Sequence, residues 1–255
     1  MTSNETIYLP WDRYVETISA DTDRLLEVAA PVLGAEVPSC PGWDVDDLLD
    51  HVGHVYLHKV AAMRSGESPD PWPPPDLDTT DPVRFVREAG EALLRELGQQ
   101  DPYAEGWTWY DADQTNGFWF RRMAQEIAIH RVDGELAHGA ATGEPSVTPI
   151  PEDIALDGID EYLHLFVGGS WEGEDVGHPV DSTVRVASTG RAWTLQVSGE
   201  RIDVTRTAED EVPTEITGSA HDVYVWLWGR GPLDALSVFG DEDLAVELRA
   251  RFAEA

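Results

Sequence analysis

Cysteine and lysine are almost missing from this chain of 255 residues, which has one of each, Cys40 and Lys59. A lone cysteine forms no internal disulfide, so the bridged frameworks of small secreted domains are excluded and a reducing cytoplasm is the expected location. Basic charge is scarce as well. Lys and Arg together number 17 against 49 Asp and Glu, a formal net charge of -32. Such a surface repels nucleic acid and anionic membrane, which removes both as expected partners. The acidic residues are spread along the chain without an acidic tail, as on a surface adapted for solubility or salt. No apolar run approaches the ~20 residues of a membrane span. The N-terminal stretch MTSNETIYLPWDRY lacks the basic region and apolar core of a secretory signal. There is no Gly-rich phosphate loop and no Gly-x-Ser-x-Gly nucleophile elbow.

With 42% hydrophobic residues, the composition suits a soluble globular protein of one large or two modest domains. DRYVETISADTDRLLEVAAPVL places Val15, Ile18, Leu25, Leu26 and Ala29 near helical spacing. DVDDLLDHVGHVYLHKVAAM follows, with Asp44 as N-cap and Asp47 in the capping-box position. The proline-rich SPDPWPPPDLDTTDP reads as a loop, and Asp81-Pro82 starts a third helix. A fourth, amphipathic helix is expected from about Phe118 to His138. We read residues 1–145 as an antiparallel four-helix bundle. Beyond it, PEDIALDGIDEYLHLFVG is helical. STVRVAST, AWTLQVSG, RIDVTRTA and TEITGSA alternate as strands do, with turns at Thr189-Gly190 and Ser198-Gly199. Two closing helices, AHDVYVWLWG and DEDLAVELRARF, complete residues 146–255 as a smaller α+β domain with an antiparallel sheet.

The fourth helix raises a chemical question, because Glu126 and His130 lie one turn apart and project from one face. Met123 and Ile127 flank them, which turns that face inward. On the second helix His51, His54 and His58 share one side, and His51 sits on the apolar stripe between Leu48 and Val55. His54 is close enough to rival it. Two histidines and a carboxylate facing one another across a bundle, with a position left open, suit zinc in a catalytic site and equally suit ferrous iron. The same pattern also fits a solvated Glu–His pair and a histidine satisfied in the core. Cys40 reads as a packing residue, with no basic partner near it in sequence. Trp107, Trp109, Tyr110, Trp119 and Phe120 read as core or interface, with a pocket lining as the alternative. Arg230, just past a tryptophan-rich helix, either neutralises the helix dipole or clamps a carboxylate.

PSCPGWDVDDLLDHVGHV resembles the Pro-Gly-Trp and Leu-x-x-His signature of the mycothiol-dependent maleylpyruvate isomerase family, within the wider DinB-like bundle metalloenzymes. RRMAQEIAIHRVD resembles the helix on which that family carries arginine, glutamate, histidine and aspartate in turn. GSAHDVYVWLWGRGPLDALSVFGDEDLAVELRARF is similar to its closing segment. The resemblance implies a zinc site made by His51, Glu126 and His130. It also implies mycothiol, the actinobacterial low-molecular-weight thiol, as a cofactor activated at the fourth position. In the implied reaction, the thiolate adds to the cis double bond of maleylpyruvate, the bond rotates, and the thiol leaves to give fumarylpyruvate. Arg230 falls where the family has an arginine important for activity. The expected partners are therefore a small-molecule substrate and a thiol. A mycothiol S-transferase using the same site and a non-catalytic metal-binding or regulatory member are the alternatives.

Overall fold

The computed structural model describes residues 8–144, 147–170, 181–207 and 211–252, which fall into two compact units, Tyr8–Thr148 and the residues from Pro149 onward. In the first unit, α1 spans Trp11–Ala29 and follows Pro10. The second helix, α2 (Val45–Ser65), begins at the expected capping box. The Asp44 carboxylate accepts from the Asp47 amide at 3.0 Å, and the Asp47 carboxylate accepts from the Asp44 amide at 3.1 Å. It stops at Gly66, whose φ of 73° is left-handed and suited to glycine. At the start of α3 (Pro82–Leu97), Asp81 accepts from the Arg84 amide at 3.0 Å. The proline-rich stretch before it contains no helix or strand, since proline supplies no amide for either.

The four helices bury Tyr14, Ile18, Leu25, Leu48, Leu49, Val52, Leu93, Met123 and Ile127 in one core, with α1 packed along α4 (Gly117–Thr142) and α2 along α3. Gly53 permits the second pairing, because a Cβ there would overlap the Phe85 ring. Inside the core Thr22 and Tyr56 share a hydrogen bond of 2.8 Å, which ties α1 to α2. The expectation of an amphipathic fourth helix is corrected. Of its 26 residues, 20 are buried, Arg121, Arg122, Arg131, Asp133 and Glu135 among them. This is a helix enclosed on all sides, whose polar residues are held by partners rather than by water. Arg131, for instance, donates to Glu135 at 2.7 Å and lies 3.4 Å from Asp21 on α1.

In the second unit, α5 (Glu152–Tyr162) runs into a π-turn over Leu163–Val167. A six-stranded sheet follows, made of β1 (Gly169–Ser170), β2 (Ser182–Ser188), β3 (Arg191–Val197), β4 (Arg201–Thr205), β5 (Thr214–Thr217) and β6 (Ser237–Phe239). Its order is β1-β4-β3-β2-β5-β6. The β2–β3 hairpin turns at Thr189 and Gly190, both with positive φ (41° and 76°), as a two-residue hairpin of the right twist requires. The sheet is antiparallel as expected in every pairing but one, that of β5 with β2, which is parallel. Strand β4 occupies the outer edge of β3, so the returning chain takes the free edge of β2. The last expected strand residue of RIDVTRTA, Ala208, lies outside the described residues. Helices α6 (Ala220–Leu227) and α7 (Glu242–Phe252) close the unit. No described helix is long and apolar enough to cross a membrane.

Candidate metal centre

The first turns of α2 and the middle of α4 meet at three side chains. His51 Nε2 and His130 Nε2 each lie 3.3 Å from Glu126 Oε1, and the two imidazole rings stand 4.9 Å apart at 73°. One ligand atom from each of the three residues falls within a 4.8 Å group, the one such group of histidine, cysteine or acidic residues among the described residues. Donors held about 2.0–2.1 Å from a tetrahedral zinc lie roughly 3.3 Å from each other, so the donor set and its spacing fit such an ion. Exposure is graded across the set: the His51 side chain is 35% accessible, that of His130 10%. The open side of the group is therefore the α2 side.

Each donor is aimed by a neighbour. Arg122, one turn before Glu126, donates to its Oε2 at 2.9 Å, which leaves Oε1 for the histidines. His130 Nδ1 donates to Asp133 Oδ2 at 3.0 Å, one turn further along α4; this fixes which nitrogen faces the centre. Asp133 in turn accepts from Ser39 Oγ at 2.5 Å and Cys40 Sγ at 3.7 Å. Both donors come from the PSCPGW turn, which closes on itself through Cys40 N to Val37 O and Trp43 N to Cys40 O, each 3.0 Å, and bends at Gly42, φ 89°. The same turn sets the Trp43 ring 5.1 Å from that of His51. Burial disfavours charge on Glu126, but hydrogen bonds from His130 and His51 and the nearby charges of His130 and Arg122 hold its carboxyl well below the usual carboxylate range. Burial likewise disfavours the His130 imidazolium. The carboxylates of Asp133 and Glu126 nevertheless push its pKa up to about 9.

The remaining sequence-derived residues sit elsewhere. The rival histidine, His54, turns its Nδ1 to the Asp50 carbonyl at 2.8 Å and rests its ring on Phe85 of α3 at 5.2 Å, away from the triad. His58 meets Trp72 of the proline-rich loop at 5.1 Å. Trp119 is fully buried and donates from Nε1 to the Trp107 carbonyl at 2.9 Å. Arg230 belongs to the second unit, where Nη1 donates to the Trp228 carbonyl at the end of α6, 2.7 Å away. That contact is compatible with the helix-end reading and leaves the carboxylate-clamp reading untested. Trp43 and Asp133 belong to the motifs that carry the family resemblance but were given no role in the site, and Ser39 was not singled out. The helical offset of three between His130 and Asp133 was the available signal. For Trp43 the signal was its place in the Pro-Gly-Trp signature; Ser39 gave none, because its partner is distant in the chain.

Two family models match the chain: the mycothiol maleylpyruvate isomerase N-terminal domain over residues 15–134 and the C-terminal domain of the same family over residues 153–247. Among solved structures, the crystal structure of the mycothiol-dependent maleylpyruvate isomerase is similar at TM-score 0.60 and 15% identity, covering 90% of this chain and 93% of that one. A variant of that enzyme with one histidine replaced by alanine is similar at TM-score 0.62, with the same identity and coverage. At this identity the likeness speaks to the fold. No curated protein matches in sequence.

Proposed function

The chain belongs to the mycothiol maleylpyruvate isomerase family, and from that premise we propose that it is an enzyme using a divalent metal ion, zinc by preference, together with mycothiol. Its reaction in this reading is the cis–trans isomerisation of a small unsaturated carboxylate of the maleylpyruvate type. The observation that carries the reading is the convergence of His51 Nε2, Glu126 Oε1 and His130 Nε2 within one 4.8 Å group. These three residues would hold the ion, and a bound divalent ion supplies the acidity that makes a thiol a nucleophile at neutral pH. The chain's own contribution is positional. Arg122 pins Glu126, Asp133 pins His130, and Trp43 walls the His51 side from which small molecules approach. For Arg230, a hold on a substrate carboxylate rests on the family resemblance.

The test is metal analysis of the purified protein followed by spectrophotometric assay of maleylpyruvate with and without mycothiol. Turnover that needs both the ion and the thiol is the expected result. Thiol transfer to an electrophile without isomerisation would replace isomerase by S-transferase, and a protein that binds no metal would overturn the reading.

A further inference from the structure

Lys59 is the single lysine of a chain with 49 acidic residues, yet its ammonium makes no close ion pair among the described residues; Glu126 acts on it only at longer range. It meets the His58 Nδ1 at 3.3 Å and the face of Trp119, whose ring centroid is 5.0 Å away. Burial disfavours its charge, and the Glu126 carboxylate favours it without a direct ion pair, so the cation is only partly compensated for its desolvation. The other cation nearby, Arg122, is already engaged with Glu126.

The position of Lys59 is set by the two helices that make the metal centre. It follows His51 by eight residues on α2, two turns and roughly 12 Å along the axis, and helical side chains lean back toward the N-terminus. On α4, Trp119 precedes Glu126 by seven residues, so the two share a face. His51 meets Glu126 while Lys59 meets Trp119; the two helices therefore run in opposite directions along a common line. The metal donors lie at one end of that line. The ammonium lies at the other, beside the Trp119 ring and His58, whose ring also meets Trp72 of the proline-rich loop. An anionic small molecule approaching a chain of net charge -32 is repelled at long range, and a local cation among low-dielectric aromatic walls offsets that repulsion where it matters.

We propose that Lys59 is a substrate-binding residue: its ammonium holds a carboxylate of an anionic substrate whose reacting end lies at His51, Glu126 and His130, and thereby selects carboxylates over neutral analogues. The location of the reacting end rests on the metal-dependent reading above; the carboxylate contact does not. Trp119 keeps the ammonium from swinging to solvent through its cation–π contact, and no carboxylate sits in direct ion-pair contact with it that the substrate would have to displace.

Calorimetric titration of the zinc-loaded full chain with maleate, and with its neutral dimethyl ester, tests this in the absence of thiol. Wild type is expected to bind maleate and to bind the ester much more weakly. Lys59→Met keeps the apolar stem and should weaken maleate about 10- to 100-fold, the range of one charge-assisted contact, with ester binding, metal content and Tm unchanged. Lys59→Arg should stay within a few-fold of wild type. Should Lys59→Met fold poorly, Lys59→Gln takes its place in the same comparison. Maleate affinity unaltered by loss of the ammonium, or no maleate binding by wild type, overturns the proposal. A lowered Tm with unaltered affinity also overturns it and marks Lys59 as a brace on Trp119. Failure of the isomerase reading is a separate result, namely a wild type that binds maleate through Lys59 yet shows no mycothiol-dependent turnover.

Discussion

Zinc should bind the metal-free protein about tenfold more tightly for each unit of pH between roughly 7 and 9. In the metal-free chain His130 lies between the carboxylates of Asp133 and Glu126, at 3.0 and 3.3 Å. Although burial opposes it, these carboxylates raise the imidazolium pKa to about 9. At pH 7 the proton is therefore bound, and an ion that takes His130 Nε2 must first expel it. Two pH units correspond to about 2.7 kcal/mol, or about a hundredfold in apparent affinity relative to pH above 9. Competition against a chelator of known affinity, at half-unit intervals of pH, gives the slope. Calorimetry in two buffers of different ionisation enthalpy should count about one proton released per ion at pH 7. In Asp133→Asn the plateau should begin at lower pH, because one of the two charges holding the proton is gone. Its affinity at high pH should also fall about 10- to 100-fold, because His130 loses the group that aims it. An affinity flat from pH 7 to 9 with no proton released would refute the reasoning, leaving His130 either neutral when metal-free or not a ligand at all.

Glu126→Ala should reduce bound metal well below one per chain while His54→Ala leaves it unchanged; metal emission spectroscopy on both variants decides whether His54 stands outside the site. The stability of the metal-free chain carries opposite signs for the two charged residues. His130, raised from 6.5 to about 9, contributes fully below pH 6.5 and loses its contribution as pH rises through 9, whereas Glu126, depressed from 4.5, contributes above that value and loses it as pH falls further. Thermal melts should thus show the metal-free Tm falling from about pH 6.5 to 9 and the gain on adding zinc widening over the same range. Gly53→Ala pushes a methyl into the Phe85 ring and should destabilise by about 1–3 kcal/mol in denaturant titration, with metal content retained in the folded fraction. Arg230→Lys keeps the charge and loses the planar fork; if the residue holds a substrate carboxylate, activity drops while Tm and metal content hold, and an early melt marks it as a helix-end residue instead.

Helix boundaries and the pairing of Glu126 with His130 on one face were readable because their signals are local. Asp44 with Asp47, Asp81 with Pro82, and Glu126 with His130 each act within about one turn, and period alone puts them on the right face. The enclosure of α4 was not readable. Its Arg121, Arg131 and Glu135 count as polar in any periodicity, and only partners such as Asp21, far off in sequence, make them buried residues. The parallel placement of β5 beside β2 escaped for a related reason, since strand alternation says which face is buried and nothing about which neighbour a strand takes. Ser39 and Trp43 belong to the same class: their roles depend on where a turn lands on another helix. His51 and His54 were left as rivals by spacing, and the contacts of His54 with Asp50 and Phe85 account for where its ring goes.

The support beneath His130 is assembled across long stretches of chain: Ser39 and Asp133 are 94 residues apart, and His51 and Glu126 are 75 apart. Contacts of such separation close late, after the local helices have formed and docked. A nascent chain therefore offers a metal no prearranged cage, in contrast to a zinc finger, whose ligands lie close together in sequence and whose folding the ion drives. If the site holds an ion, folding should precede metallation, with the His130–Glu126 ion pair keeping the apoprotein ready. The occupant would then be chosen by the pool of exchangeable ions that the finished protein meets, not by those present during synthesis. Cells starved of zinc and replete in another divalent ion should accordingly accumulate a folded but differently loaded population.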